Sequence, residues 1–299
     1  MLFPVARYDS WVACCVPAST GFLLRKGILI VPAYRTYTPE RSLRLDAAQS
    51  AQFEQSGYLV LPGLLPSGLV ERVKSEVDRW VDTGLRAQTI AAALDPASCE
   101  APAVLELDLP AHGELLVHEP LLGVISQLVG PGFVHHHMHS DRHAPDLPGK
   151  PWHHDYEQHV QSYRTHAMVH ALHYLDGIDP DMAGLAVLPG SHHEVADKSA
   201  RAHAGTDPLP GEVFFEDLPP GSTVLLHSAL FHTRRTKPGQ TGRPRYFVDA
   251  SYCQTGTLWP PVKPFWREAL RRGRQLDYDE AAWPELFAER HFSEYVKPQ

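Results

Sequence analysis

Apolar residues recur along this chain in two rhythms. Ahead of Phe133 a helical period dominates. Val70, Val73, Val77, Trp80 and Val81 fall at steps of three and four, the stripe of a helix packed on a sheet, with Ser67 placed to cap it. Asp46 to Ser56 reads as a shorter helix running into Gly57-Tyr58-Leu59-Val60-Leu61, a strand-like run stopped by Pro62-Gly63. Gly84 to Glu106 reads as a less regular connection. Pro120 to Val129 reads as another short helix, its proline suited to a first helical position.

From Phe133 onward the period shortens to two. Phe133 to Ser140 would place His135, His137 and His139 on one face of a strand and Val134, His136 and Met138 on the other. Thr165 to Leu175 would set His166, Met168, His170, Leu172 and Tyr174 against Val169, Ala171, His173 and Leu175. Ala183 to Leu188, Ser222 to Leu226 and Tyr246 to Tyr252 add further apolar strands. Many short strands after a helical first part predict a mainly β fold with flanking helices, built on a double-stranded β-helix: a jelly-roll, cupin-like core. Residues 1–40 read as a variable extension and 41–299 as one domain, with the jelly roll over about 130–255 and an aromatic-rich segment over 256–299.

Composition narrows the function without naming it. With 43% hydrophobic residues in 299 the chain can bury a sizeable core. A net charge of -8 and no long basic run argue against nucleic acid or an anionic membrane as partner, and for a small molecule. Cys14, Cys15, Cys99 and Cys253 form neither a Cys-x-x-Cys pair nor a secreted disulfide framework, which fits a reducing cytoplasm. The apolar stretch from Trp11 to Leu24 is interrupted by Pro17, Ser19, Thr20 and Gly21, too broken for a membrane span and poor as a signal peptide.

The chain carries 19 histidines, concentrated between His135 and His232. A lone histidine usually packs with one ring nitrogen satisfied, so number alone decides little. Spacing decides more. In Trp152-His153-His154-Asp155 a His-x-Asp precedes His232, which lies 77 residues beyond Asp155 in a strand-like segment. Two imidazoles and one carboxylate on one face of a metal leave adjacent positions open, the donor set of non-haem Fe(II) oxygenases.

Several motifs in order resemble the phytanoyl-CoA dioxygenase-like family of Fe(II)/2-oxoglutarate oxygenases, over about residues 45–255. Phe53 to Gly63 looks like the family's entry helix and first strand, and Pro151-Trp152-His153-His154-Asp155 like its first metal motif. Gly184-Leu185-Ala186-Val187-Leu188-Pro189-Gly190-Ser191-His192 looks like its central turn, and His227-Ser228-Ala229-Leu230-Phe231-His232 like its second metal motif. The resemblance implies that His153, Asp155 and His232 hold Fe(II), with His227 left structural and His192 bracing its turn. It also implies that 2-oxoglutarate and O2 take the open positions. An arginine should bind the distal carboxylate of 2-oxoglutarate. Arg245 begins an apolar strand, whereas Arg243 fits the commoner spacing from His232; Arg245 is preferred and Arg243 kept as alternate.

The retained carboxylate of Asp155 favours hydroxylation over halogenation, with release of succinate and CO2. The expected substrate is a small molecule, in a biosynthetic, natural-product setting. Its contacts are expected from His137, His139 and Tyr156, from the Tyr156-to-Arg164 loop, or from the aromatic carboxy-terminal segment acting as lid or dimer contact, unless that segment simply packs outside the sheet. Lys150 and Trp152 are candidates for the mouth of the site. Two other classes stay open at this point: a cupin-like metalloenzyme that does not use 2-oxoglutarate, and a non-catalytic jelly-roll binding module.

Overall fold

The computed structural model describes residues 43–95, 100–145, 147–158, 164–182, 184–236 and 242–296, with two short strands ahead of them, β1 (Leu24–Arg25) and β2 (Ile28–Ile30). The rest of the extension expected over 1–40 lies outside the described residues, as do Cys14, Cys15 and Cys99.

Helix α1 (Ala47–Ser56) starts at a reciprocal cap: the Asp46 carboxylate accepts from the Gln49 N–H, and the Gln49 side chain accepts from the Asp46 N–H. It stops at Gly57, whose φ of 78° is left-handed. A Cβ there would also fall 2.5 Å from His192 Nδ1, so glycine is needed twice over where the chain turns into β3 (Tyr58–Leu61). Helix α2 (Ser67–Asp82) buries Leu69, Val70, Val73, Val77 and Trp80, the stripe read from the sequence. Its cap differs from expectation. Pro66 takes the N-cap position with no side-chain hydrogen bond, because its fixed φ lets the helix begin directly at Ser67.

The connection expected from Gly84 is instead helical over α3 (Leu85–Leu94). Its Ala, Leu, Arg and Gln residues favour a helix locally, but it buries only Thr89, so no apolar stripe marks it. Helix α4 (Pro110–Leu116) follows, and α5 (Glu119–Val129) begins one residue earlier than predicted.

The strands are β4 (Phe133–His143), β5 (Lys150–His153), β6 (Met168–Tyr174), β7 (Gly184–Val187), β8 (Val213–Phe215), β9 (Ser222–His227), β10 (His232–Arg235) and β11 (Arg245–Gln254), before a last helix α6 (Trp266–Gly273). They form two sheets, β1-β2-β8-β7-β10-β5 and β3-β9-β6-β11-β4, antiparallel throughout except for the β2–β8 pair. This is the jelly roll expected from the sequence, with helices added.

Alternation sorts the five-stranded sheet into two faces. Val169 and Ala171 of β6 and Val248 and Ala250 of β11 join Val73, Val77, Leu115, Leu121 and Ile125 in a core under the helices. Leu172 and Tyr174 turn the other way, toward Leu185, Val187 and Phe215 of the second sheet. In β4 the predicted alternation breaks at His136. β11 pairs Ser251 with His137 but the adjacent Tyr252 with His135, so His136 is the extra residue of a bulge. His135 therefore turns to Tyr252 and Phe287, away from the face of His137 and His139.

The aromatic carboxy-terminal segment packs into the helix-side core, where Trp259, Trp266, Leu270, Phe287 and Phe292 are buried. Of the readings left open for it, packing on the sheet describes these contacts. At roughly 1.5–3 kcal/mol for each fully buried large apolar side chain, it is integral to the fold.

Candidate metal centre

His153 ends β5 and His232 begins β10, and the two residues are direct partners in the antiparallel pairing of those strands. Asp155 lies two residues past His153. Its backbone N–H donates to the Ser228 carbonyl at 2.8 Å, which ties the segment to the turn before β10. The three side chains converge: His232 Nε2 is 3.2 Å from Asp155 Oδ2, His153 Nε2 is 3.7 Å from Oδ1, and the two rings are 4.2 Å apart.

Hydrogen bonding fixes which ring atoms face inward. His153 Nδ1 lies 2.7 Å from the Pro151 carbonyl and His232 Nδ1 lies 3.1 Å from the Leu230 carbonyl. A carbonyl only accepts, so each Nδ1 carries a proton and each ring turns its Nε2 toward Asp155. His153 Nε2 is buried with no hydrogen-bond partner. Burial, with His232 beside it, pushes the His153 pKa down to about 3, which keeps that ring neutral. Burial alone would raise the Asp155 pKa, but its contact with His232 and the nearby charge of Lys150 hold it well below the usual carboxylate range. Two ring nitrogens and a carboxylate oxygen thus converge, and this N/N/O donor set suits a first-row divalent metal.

The triad opens on a cavity of about 180 Å³, whose other walls include Leu172, Tyr174, Phe247, Arg234, Arg245 and Asp249. Arg245, at the start of β11, is buried, with its guanidinium 5.7 Å from the Tyr174 ring centre and its Nη2 3.0 Å from His143 Nδ1. Arg243 points elsewhere: it is 67% exposed and paired with Asp179 at 2.7 Å.

Of the residues expected to meet substrate, His139 lines the cavity. His137 lies one side-chain step further along β4, against His136, His170 and Ser251. Tyr156 is not part of the lining. Its ring is buried between His227 and Trp259, and its hydroxyl donates to the His166 carbonyl at 2.8 Å. Lys150 reaches the cavity, with Nζ 3.8 Å from Asp155 Oδ1, whereas Trp152 is buried and donates to the Asp207 carbonyl. His227, His192 and His154 all face away from the triad: His227 Nδ1 accepts from the Ala229 N–H, His192 Nε2 donates to the Glu54 carbonyl, and His154 Nε2 donates to the Ala196 carbonyl. Residues 159–163 of the expected substrate loop lie outside the described residues.

Three polar lining residues escaped the sequence reading, His143, Arg234 and Asp249. Each was reachable by alternation, since His143 is four residues after His139 on β4, Arg234 two after His232 on β10 and Asp249 four after Arg245 on β11.

A family model described as Phytanoyl-CoA dioxygenase (PhyH) matches residues 53–245. Among solved structures the chain is similar to HygX from Streptomyces hygroscopicus with iron bound, at 22% identity and a TM-score of 0.54 over 73% of this chain and 90% of that one. It is similar to EctD from S. alaskensis with 2-oxoglutarate and 5-hydroxyectoine, at 22% identity and TM-score 0.56 over 74% and 79%. A third is the non-heme alpha ketoglutarate dependent carbocyclase SnoK from nogalamycin biosynthesis, at 15% identity and TM-score 0.57 over 75% and 90%. At these identities the likeness is one of fold. No curated protein matches the chain in sequence. The family match sets aside the two alternatives left open by the sequence, the metalloenzyme without 2-oxoglutarate and the non-catalytic module. Among the described residues no helix is long and apolar enough to cross a membrane.

Proposed function

We propose that this chain, which belongs to the phytanoyl-CoA dioxygenase family and is an Fe(II)- and 2-oxoglutarate-dependent oxygenase, hydroxylates a small molecule at iron held by His153, Asp155 and His232. The convergence of two Nε2 atoms on the Asp155 carboxylate carries this reading. In it, the two imidazoles are neutral donors, and Asp155 neutralises part of the metal's charge. The carbonyls of Pro151 and Leu230 hold the rings in the ligating tautomer.

Arg245 is the anchor we assign to the distal carboxylate of 2-oxoglutarate. It lies in the same cavity as the triad, buried among Tyr174 and Phe247, where a guanidinium–carboxylate pair is little screened. Arg243, exposed and committed to Asp179, offers no such setting. Iron with 2-oxoglutarate and O2 supplies the oxidising power, succinate and CO2 being the co-products. The protein's own part is to orient the two substrates and to exclude water, through Leu172, Leu185, Tyr174 and Phe247.

A cavity of this size suits a small molecule rather than a polymer, and the related fold of HygX holds hygromycin B. We place the reaction in a biosynthetic setting and in a reducing compartment such as the cytoplasm, where the buried, unpaired thiol of Cys253 is at home. Replacing Asp155 with Ala tests the assignment. Loss of 2-oxoglutarate-dependent succinate formation in a folded variant supports it; full turnover by that variant removes the triad from the chemistry.

A further inference from the structure

The wall of the cavity changes character along β11. Arg245, Phe247 and Asp249 all face inward, and four residues of strand carry Asp249 about 13 Å from Arg245. At the Arg245 end the neighbours are His143, whose Nδ1 accepts from Arg245 Nη2, and Arg234, a second cation suited to a carboxylate. At the other end Asp249 is paired across the sheet with His139 and Leu172, and the diagonal neighbour on β6 is His170. A five-carbon diacid anchored at Arg245 does not span that distance.

Asp249 and His170 form a nearly buried ion pair: His170 Nδ1 lies 2.9 Å from each carboxylate oxygen. His137, His170 and Asp249 could be taken for a second metal site. Hydrogen bonding accounts for them instead. His170 Nδ1 already donates to Asp249, and His137 Nδ1 is engaged by His136 Nδ1 at 2.7 Å and by Ser251 Oγ at 2.9 Å. Burial alone would lower the His170 pKa, but the charge of Asp249 and the hydrogen bond to it raise it. A buried ion pair is a poor source of stability compared with apolar packing, and this one opens on the cavity beside the metal ligands. A carboxylate has about four acceptor sites, and one N–H leaves some of them facing the cavity.

We infer that Asp249, oriented by His170, is a substrate-binding residue that accepts a hydrogen bond from a hydroxyl or ammonium group of the substrate. The inference rests on the oxygenase reading and deepens it. An acceptor-only carboxylate at this end welcomes donors and offers none to a carboxylate or phosphate, so a polar alcohol or amine fits the cavity better than an anionic thioester.

The test uses the anaerobic full-length protein loaded with Fe(II) and 2-oxoglutarate, titrated with cyclohexylamine, cyclohexanol and cyclohexanecarboxylate. The readout is the shift each causes in the visible metal-to-ligand charge-transfer band. The amine or the alcohol should half-saturate at least about tenfold below the carboxylate, the value of one charge-assisted hydrogen bond. If the donor is an ammonium, Asp249→Asn removes the preference; if it is a hydroxyl, Asp249→Asn keeps part of it and Asp249→Leu removes it. A carboxylate that binds as well as the others, or a preference that survives both substitutions, overturns the inference. Loss of the band itself in Asp249→Asn would put Asp249 at the metal or cosubstrate and also overturns it. Absence of the band in the unmodified protein would instead overturn the oxygenase reading, and this inference with it.

Discussion

His153 and His232 face each other directly across an antiparallel strand pair, with ring centres 4.2 Å apart. Backbone pairing, rather than a loop, therefore sets the spacing of the two nitrogen donors, and the Asp155 carboxylate reaches between them from two residues beyond His153.

That apposition gathers the donors a metal needs. In Asp155→Ala bound iron should fall from about one per chain to near none, while the melting temperature of the metal-free protein changes by only a few degrees. Iron content by elemental analysis and thermal unfolding of the apo forms check this. A variant that keeps its iron contradicts the assignment.

The two arginines should separate cleanly. Losing a buried charge-assisted contact costs about 1.5–3 kcal/mol, so Arg245→Ala should raise the half-saturating 2-oxoglutarate concentration roughly 10- to 100-fold. Arg243→Ala, which loses only an exposed pair with Asp179, should leave it within about twofold. The reverse result would make Arg243 the anchor.

Acid should unfold this protein early. His135 and His173 are buried and His227 is partly buried, and desolvation pushes each pKa down to about 3. The unfolded chain takes up protons near pH 6.5 that the native rings refuse, so this stability is complete above pH 6.5 and is lost as pH falls toward 3. Each ring contributes a loss of about 1.4 kcal/mol per pH unit in that window. His170, whose pKa is raised, works in the opposite sense. Urea unfolding of the apo protein at pH 7.5 and 5.5 should show a drop of a few kcal/mol. No drop would mean the rings are already protonated in the fold.

Gly57 should tolerate no side chain. Its left-handed φ costs an L-residue about 1–2 kcal/mol, and the added Cβ meets the His192 ring that hydrogen-bonds to the Glu54 carbonyl. Gly57→Ala should lower the melting temperature by several degrees with iron binding retained. An unchanged melting curve would show that the α1–β3 turn can relax.

What the sequence disclosed follows from where the physics is local. The stripe of α2 and the alternation of β6 are written in residue periodicity, and the His-x-Asp with a distant His pointed to residues the fold brings together. Helix α3 hid because it buries little, so its Ala-rich composition carried no periodic mark. Strands β5, β8 and β10 are three or four residues long, too short for a period to show. The bulge at His136 is set by pairing with β11, which no local pattern in β4 reports. The preference for Arg245 over Arg243 rests on burial, since Arg245 is buried in the cavity wall and Arg243 is exposed beside Asp179, a tertiary fact.

The most direct test of the metal centre is an anaerobic titration of the apo protein with Fe(II) and 2-oxoglutarate, in the unmodified chain and in Arg245→Ala. A visible charge-transfer band that forms in the unmodified protein, and in the variant only at far higher 2-oxoglutarate, is the predicted result. Folded, iron-loaded protein that never develops the band would contradict the account.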